Sequence, residues 1–347
     1  MAAPSQTAEQ RELALVGKVE MRMALADSDS KLESLLSTYL APLLLKLASE
    51  HVSVRNKVIS VCQHISTRIK PQSIQLPVAA LIKQFKDHEG SLIRHFDLVY
   101  IKQGVERLLE GKKAELLPAV ISGIAKTGSH GSEIFNLLLR LLDAFTLPPR
   151  GSKDDLDLRH RLAVTQDDAT YLAYWIGKFI LFTPQNAGAT ACPGLNAEEY
   201  EFIGLHGRES LWVPSTGGLN LTRTKVLVAR LLASGLFTDQ ERFLPALFAS
   251  ADAASTISDA GEDMLKRALP AMDLEDEHLL KTLFGLYFGE KDATRVRAPL
   301  RLKILGLLNK SRRSTTFSHN LMRLVDDGVA ASGMGGDDVL MSGTIAG

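Results

Sequence analysis

One stretch near the start of the chain, residues 32–70, constrains the fold more than any other. Its first half places leucines and one tyrosine at every third or fourth position, and its second half does the same with valine, isoleucine and one cysteine. This spacing puts the apolar side chains on one face of an α-helix. Only a short polar segment, residues 49–53, separates the two halves, so the two helices must lie antiparallel. The stretch predicts a helical hairpin with helices over residues 32–48 and 52–69.

Three further signals refine this hairpin. Ser30 and Glu33 have the spacing of a capping box at the start of the first helix. Pro42 falls inside that helix, where a proline removes a backbone hydrogen bond and bends the axis. The second helix opens with an apolar residue and two basic residues, Val-Arg-Asn-Lys at 54–57. Together these features resemble a HEAT repeat, the hairpin of α-solenoids, whereas an ordinary hairpin in a helical bundle is the alternative.

The hairpin pattern recurs along the first part of the chain. First helices begin near residues 32, 76 and 115, so the offsets of about 44 and about 39 residues lie close to the HEAT period. Residues 1–30 predict a polar tail and a capping helix whose apolar face carries Leu15, Val19 and Met23. We therefore expect an all-α fold, an α-solenoid of HEAT-like helical hairpins (an ARM-type superhelix), with the first hairpins over residues 31–147.

The pattern breaks after residue 147. Residues 148–170 contain Pro148-Pro149 and Gly151, which stop helices, and this segment is either an inter-repeat loop or a domain boundary. Helical spacing resumes over residues 171–317, where Gly235 stands at the position of a C-terminal helix glycine and Thr238 with Glu241 forms a second capping box. Residues 318–347 predict a weak helix and a flexible tail. Since no capping helix ends this pattern, we expect the chain to be the first part of a longer array.

Composition excludes several classes of function. The chain carries 40 basic and 40 acidic residues, and this balance argues against a general nucleic-acid binder. Its two cysteines form neither a disulfide framework nor a CxxC metal motif, and Cys62 falls on an apolar helix face, as expected of a small core residue. No signal-peptide pattern and no apolar run long enough to span a membrane is present. We expect a soluble, intracellular protein without a membrane span.

The residues of the chain do not form a known catalytic, cofactor or metal motif. His51, His64, His88 and His95 lack ligand spacing and are expected on the surface or in turns. Phosphate-binding glycine motifs and nucleophile signatures are also missing from the sequence. The acidic pairs at 154–155, 167–168 and 337–338 fall in predicted loops, where carboxylates are usually solvated. We therefore expect no enzyme and no catalytic, cofactor-binding or metal-binding residues.

A run of basic residues near the end of the helical array has two interpretations. It is either a solvated basic face or a surface that docks an acidic partner. Ser314, which follows two arginines, also matches the weak and common pattern of a basic-directed kinase. The run consists of Arg295, Arg297, Arg301, Lys303, Lys310, Arg312 and Arg313.

Several segments resemble one known family. LAPLLLKLASEHVSVRNKVISVCQHISTRIK, IQLPVAALIKQF and FDLVYIKQGVERLL are similar to the N-terminus of the HEAT-repeat proteasome adaptor and scaffold family, also called proteasome stabilisers. FLPALFASADAASTISDAGEDMLKRAL and VRAPLRLKILGLLNKSRRSTTF resemble its later segments. The resemblance covers residues 30–317, although residues 150–170 and 183–200 look idiosyncratic and the tail after Phe317 departs from the family.

The resemblance implies a function without an active site. Members of this family bind core and regulatory particle subunits of the 26S proteasome, stabilise or monitor the association of the two particles, and link proteasomes to other cellular sites. The resemblance also implies a cytoplasmic and nuclear location and no cofactor, specific nucleic acid or membrane span. Another HEAT scaffold, of the transport-receptor or phosphatase-scaffold type, is the alternative function.

Overall fold

The computed structural model describes residues 7–184, 192–206, 209–210, 212, 218–290 and 292–333. The predicted all-α class is confirmed, because these residues form seventeen α-helices and only one pair of very short strands. The strands, β1 (Leu205–His206) and β2 (Glu209–Ser210), are antiparallel, with Leu205 opposite Ser210. The chain divides into two compact units, Met1–Thr127 and Gly128–Gly347. This division falls between the two helices of the predicted third hairpin, and not in the segment 148–170.

The described part of the first unit, residues 7–127, contains six α-helices. The helix α1 packs on α2 and α3, α2 packs on α4 and α5, and α4 also packs on α5 and α6. The leucine and valine stripes predicted for the first hairpin form its core, since Leu36, Leu40, Val54 and Val58 are fully buried. The helices are α1 (Ala8–Ala24), α2 (Asp29–Leu45), α3 (Val52–Arg68), α4 (Val78–Asp87), α5 (Ser91–Val105) and α6 (Glu110–Ile121).

Two predictions about the first helices are wrong. Ser28, not Ser30, caps α2 by accepting a hydrogen bond from the Lys31 amide, because the helix begins at Asp29 and Ser30 lies inside its first turn. The apolar face predicted for α1 is correct at Met23, which is 3% exposed, but wrong at Leu15, which is 54% exposed while Val16 is buried instead. The structural reason is that α1 directs its carboxylates, and not its leucine, toward α3 and the turn before it.

Basic side chains hold the turns of the first unit. The last carbonyls of a helix lack partners within the helix, and a cation there also interacts favourably with the helix dipole. Arg55 donates to the carbonyl oxygen of Ser49 at 2.6 Å, and Arg94 donates to that of His88 at 2.7 Å. Lys86 donates to three carbonyls at the end of α6, including that of Val120 at 2.9 Å. The arginine in the predicted HEAT-like start of α3 therefore has a structural role.

The second unit contains eleven helices in its described part. The most extensive packing is of α13 on α14 and on α10. The segment 148–170, predicted as a loop, contains α8, α9 and the start of α10. The helices are α7 (Gly131–Leu141), α8 (Lys153–Leu156), α9 (Leu158–Arg161), α10 (Gln166–Leu181), α11 (Ala197–Gly204), α12 (Leu221–Leu232), α13 (Asp239–Ala249), α14 (Ser255–Ala268), α15 (Glu277–Phe288), α16 (Ala298–Leu308) and α17 (Ser318–Gly333). The predicted flexible tail after α17 lies outside the described residues.

Gly235, which the sequence predicts at the end of a helix, is instead explained by the close approach of two backbone segments. Gly235 does not adopt a left-handed conformation. A Cβ atom at this position would lie 2.0 Å from the carbonyl oxygen of Asp155, so the absence of a side chain lets the segment after α12 meet α8. The Gly235 amide also donates to the Asp155 carboxylate at 2.8 Å.

The acidic pairs in the second unit are not simply solvated, which corrects that expectation. Asp155 is 3% exposed and accepts hydrogen bonds from the backbone amides of Gly151 and Gly235. Asp168 is 1% exposed and completes a capping box with Thr165 at the start of α10. The capping box predicted from Thr238 and Glu241 is confirmed at the start of α13. The pair 337–338 lies outside the described residues.

Candidate interaction groove

A groove of about 510 Å³ runs between α10, α13 and α15 in the second unit. A neighbouring cavity of about 330 Å³ shares Lys178, His278, Thr282 and Leu286 with it, so the two are adjoining parts of one depression along α15. The groove is lined by Thr170, Ala173, Tyr174, Gly177 and Lys178 of α10, by Gln240, Glu241, Leu244, Pro245 and Phe248 of α13, and by His278, Thr282 and Leu286 of α15.

The floor of the groove is apolar and depends on a small residue. A Cβ atom at Gly177 would lie 3.2 Å from the Phe248 ring and 3.5 Å from Pro245, so this glycine lets α10 and α13 pack closely. Leu244 and Leu286 are partly exposed at the surface of the groove. Partly exposed aliphatic side chains in a concavity gain free energy when another molecule removes them from water.

A buried carboxylate orders one rim of the groove. Glu199 of α11 accepts hydrogen bonds from the Tyr174 hydroxyl at 2.5 Å and from the Lys178 ammonium at 2.8 Å. Burial alone would raise the pKa of Glu199, but the hydrogen bonds from Lys178 and Tyr174 outweigh it and hold the pKa below its usual range. Burial and the adjacent Glu199 raise the pKa of Tyr174. The tyrosine therefore remains a neutral hydrogen-bond donor at the rim.

A second carboxylate fixes the opposite end of the same groove. Glu241 accepts hydrogen bonds from Arg159 at 3.1 Å and from the Gln166 side chain at 2.9 Å, and it also accepts from the Thr238 amide. These bonds tie the first turn of α13 to α9 and α10. Burying a charged side chain without a partner is strongly unfavourable. Because Lys178 and Glu241 are both paired within the chain, an apolar segment can enter the groove without leaving either charge unpaired.

The predicted basic run does not form a single solvated face, which corrects that interpretation. Arg301 is 2% exposed, and its guanidinium lies 4.8 Å from the Tyr287 ring centroid. Lys303 pairs with Glu262, and Arg313 pairs with Glu277 at 2.7 Å. Lys303 and Arg313 therefore already have acidic partners within the chain, and burial keeps Arg301 from an acidic surface of another protein. Other members of the run remain exposed, among them Arg295, Lys310 and Arg312.

Ser314 is buried, and the described histidines are not part of a metal-binding cluster. Ser314 is 6% exposed and its hydroxyl donates to the Ser311 carbonyl oxygen at 2.8 Å, so a kinase cannot reach it in this conformation. Among the described residues, no group of three or more histidine, cysteine, aspartate or glutamate side chains is arranged to hold a metal ion. His64 is exposed beside Glu20, and His95 packs edge-on against Phe96.

The prediction for Cys62 is confirmed. It is 2% exposed, and burial raises the pKa of its thiol to about 11.

Among the helices that the structure describes, none combines the length and apolar character needed to cross a membrane.

Sequence reasoning did not find the groove. The stripes of α10 and α13 and the capping box at Glu241 were visible, but the gap between these helices and α15 depends on how three distant segments pack. Leu244 falls within the predicted helical segment 171–317, and its partial exposure in the groove becomes apparent only in three dimensions.

Comparison with known proteins gives a consistent result. Residues 16–337 match the sequence model of the family described as "Proteasome component ECM29, N-terminal". The chain is 29% identical to proteasome component ECM29 of Saccharomyces cerevisiae over 93% of its own length, and 27% identical to the proteasome-associated protein ECM29 homolog of Drosophila melanogaster over 88%. It is 35% identical to the proteasome adapter and scaffold protein ECM29 of Homo sapiens over 44% of its length.

These relatives are much longer than the chain, which spans 18% of the yeast protein, 16% of the fly protein and 8% of the human protein in the matched regions. No solved structure matches the chain. The family match covers most of the chain, includes both compact units and agrees with the resemblance carried by the first hairpins. The chain therefore belongs to the ECM29 family, and its residues 16–337 match the N-terminal region of that family.

Proposed function

We propose that this chain is a non-enzymatic adaptor that associates with the 26S proteasome. The observation that carries the proposal is the family match over residues 16–337, together with relatives whose names describe a proteasome component or a proteasome adapter and scaffold. In this proposal the chain contacts core and regulatory particle subunits, stabilises or monitors their association and links proteasomes to other cellular sites. Its proposed location is the cytoplasm and the nucleus.

The groove between α10, α13 and α15 supports a role in binding protein. It combines an apolar floor with a rim of polar groups such as Gln240, His278 and Thr282, and protein interfaces commonly have an apolar centre and a polar rim. Its charged groups already have partners in the second unit. We assign the groove as a contact for a proteasome subunit segment that inserts an apolar side chain.

Affinity capture with a groove variant tests both parts of the proposal. The tagged chain is recovered from a lysate of its source organism, and core and regulatory particle subunits are quantified by mass spectrometry against an untagged control. In the variant Leu244→Glu, a charge lies in the apolar groove and loses its hydration when a segment binds. The matched control is Leu302→Glu, since Leu302 is 45% exposed on α16 and does not line the groove.

We expect the unaltered chain and Leu302→Glu to recover both sets of subunits, and Leu244→Glu to recover about tenfold less, as expected for a loss near 1.4 kcal/mol. Recovery of neither particle by the unaltered chain would overturn the proposed association. Equal recovery by all three proteins would leave the association standing but refute the groove as its contact.

A further inference from the structure

The helix α1 separates its charges onto two faces. Its three carboxylates all point toward the rest of the first unit. Glu12 accepts hydrogen bonds from the Lys46 ammonium at 2.7 Å and from the Ser49 hydroxyl, which hold the pKa of its carboxyl below the usual range. The other two carboxylates, Glu9 and Glu20, contact Ser53 and Lys57 of α3.

The opposite face of α1 is basic and apolar. Arg11, Lys18 and Arg22 lie along its middle, because spacings of seven and four residues return to the same side of a helix. Leu15 lies at one edge, and Met21 and Leu25, the residue that follows the helix, lie at the other. These three side chains are 54%, 66% and 70% exposed. We call the six residues the α1 basic face.

The cations of the α1 basic face have no anionic partner among the described residues. Arg22 is nevertheless held in place, since its guanidinium donates to the Tyr39 hydroxyl and lies 5.5 Å from the Tyr39 ring centroid. A neutral phenol does not cancel the positive charge. The side chain is therefore positioned in advance and loses less conformational entropy when it pairs with a carboxylate.

We propose that the α1 basic face docks an acidic amphipathic α-helix of a partner protein. Arg11 and Arg22 are eleven residues apart, which corresponds to about 16 Å along the axis, or about three helical turns. A partner helix with carboxylates at every third or fourth position pairs with the central cations, and apolar side chains beside those carboxylates pack on the leucines and the methionine. This inference does not depend on the proposed proteasome association.

An anionic membrane surface fits these observations less well. The helix α1 buries Val16 and Met23 inside the unit, whereas a helix lying in a bilayer interface inserts a continuous apolar face. Here the cations occupy the middle of the exposed face, so inserting the apolar edges would carry the cations into the apolar layer. Attraction of three cations to anionic lipids supplies only about 3 kcal/mol.

Fluorescence anisotropy with a designed peptide tests the inference. The probe is a fluorescein-labelled helical peptide of about 20 residues with a stripe of glutamates flanked by leucines. The full chain is compared with the variant Arg11→Glu/Lys18→Glu. The matched control, Lys70→Glu/Lys83→Glu, makes the same change in charge at two exposed lysines of the same unit. Circular dichroism verifies that all three proteins are folded.

We expect reversal of Arg11 and Lys18 to weaken probe binding by about tenfold or more, because attractive pairs become repulsive, and the control to change it by less than about twofold. A further variant, Leu15→Ser/Leu25→Ser, should weaken binding by about fivefold through lost apolar burial. The inference is overturned if the chain does not bind the probe, or if the control weakens binding as much as the test variant does. The inference is also overturned if the peptide does not bind while the chain co-sediments with phosphatidylserine vesicles and Arg11→Glu/Lys18→Glu abolishes this co-sedimentation.

Discussion

Replacement of Asp97 by asparagine should stabilise the first unit in a manner that depends strongly on pH. Asp97 lies on α5 and is fully buried. Its Oδ1 atom accepts a hydrogen bond from Gln84 at 3.0 Å, and its Oδ2 atom has no hydrogen-bond partner among the described residues. Burial raises the pKa of Asp97 from 3.8 to about 7, and the hydrogen bond from Gln84 only partly opposes this.

The size and direction of the effect follow from proton linkage. Each unit of pKa corresponds to about 1.4 kcal/mol, so the difference between 3.8 and about 7 corresponds to about 4 kcal/mol. Between these pH values the folded chain holds a proton that the unfolded chain has released. Stability is therefore lost as the pH rises through this interval, and the full loss is reached above pH 7. An asparagine has no such proton and keeps the acceptor for Gln84.

Urea denaturation followed by circular dichroism measures this effect. The unfolding free energy of Asp97→Asn should exceed that of the unaltered chain by about 3 to 4 kcal/mol near pH 8 and by less than about 1 kcal/mol near pH 4. Asp87→Asn removes an exposed carboxylate from the end of α4 and should change stability by less than about 0.5 kcal/mol at either pH. A difference between Asp97→Asn and the unaltered chain that stays constant from pH 4 to pH 8 would refute this reasoning.

Three other substitutions have outcomes that are measured as changes in the unfolding free energy, and the first two concern buried contacts. Asp252→Asn should destabilise the second unit by about 3 kcal/mol, because it leaves the ammonium of Lys225, 3.1 Å away and almost fully buried, without its counter-ion. A loss below about 0.5 kcal/mol would show that the Ile180 carbonyl and solvent satisfy this lysine. Gly261→Ala should destabilise by about 3 kcal/mol or more, since its Cβ atom would lie 2.2 Å from the Ser250 amide nitrogen. Gly17→Ala, with nothing within 4 Å of the new Cβ atom, should instead stabilise α1 by about 0.5 to 1 kcal/mol, and equal effects of the two substitutions would contradict the packing described here.

The sequence predicted those features that depend on local periodicity. The apolar stripes of α2 and α3 placed Leu36, Leu40, Val54 and Val58 in the core, and all four are fully buried. The capping box of α13 was equally visible, because cap and partner are three residues apart. The family resemblance rested on such stretches and is confirmed by the match over residues 16–337.

Features that depend on distant contacts were missed or misread. The hydrogen bond that the Gly235 amide donates to the Asp155 carboxylate and the close approach at Gly235 join segments about 80 residues apart in the sequence. From the sequence alone, Asp155 therefore resembled a loop acid and Gly235 a helix-ending glycine. The charges of Arg301 and Lys303 also looked exposed, because their partners Tyr287 and Glu262 lie on other helices. The groove likewise exists only where three separate helices meet.

Direct binding of the purified chain to purified 26S proteasomes of its source organism is the most direct test of the proposed association. In glycerol-gradient sedimentation, we expect the chain to move with the proteasome peak, to saturate as its concentration rises, and to do so at concentrations below about 10 μM. An unrelated helical protein of similar size should stay at the top of the gradient. A chain that remains at the top in the presence of intact proteasomes at the same concentrations would contradict the proposal that this region of the ECM29 family binds the proteasome by itself.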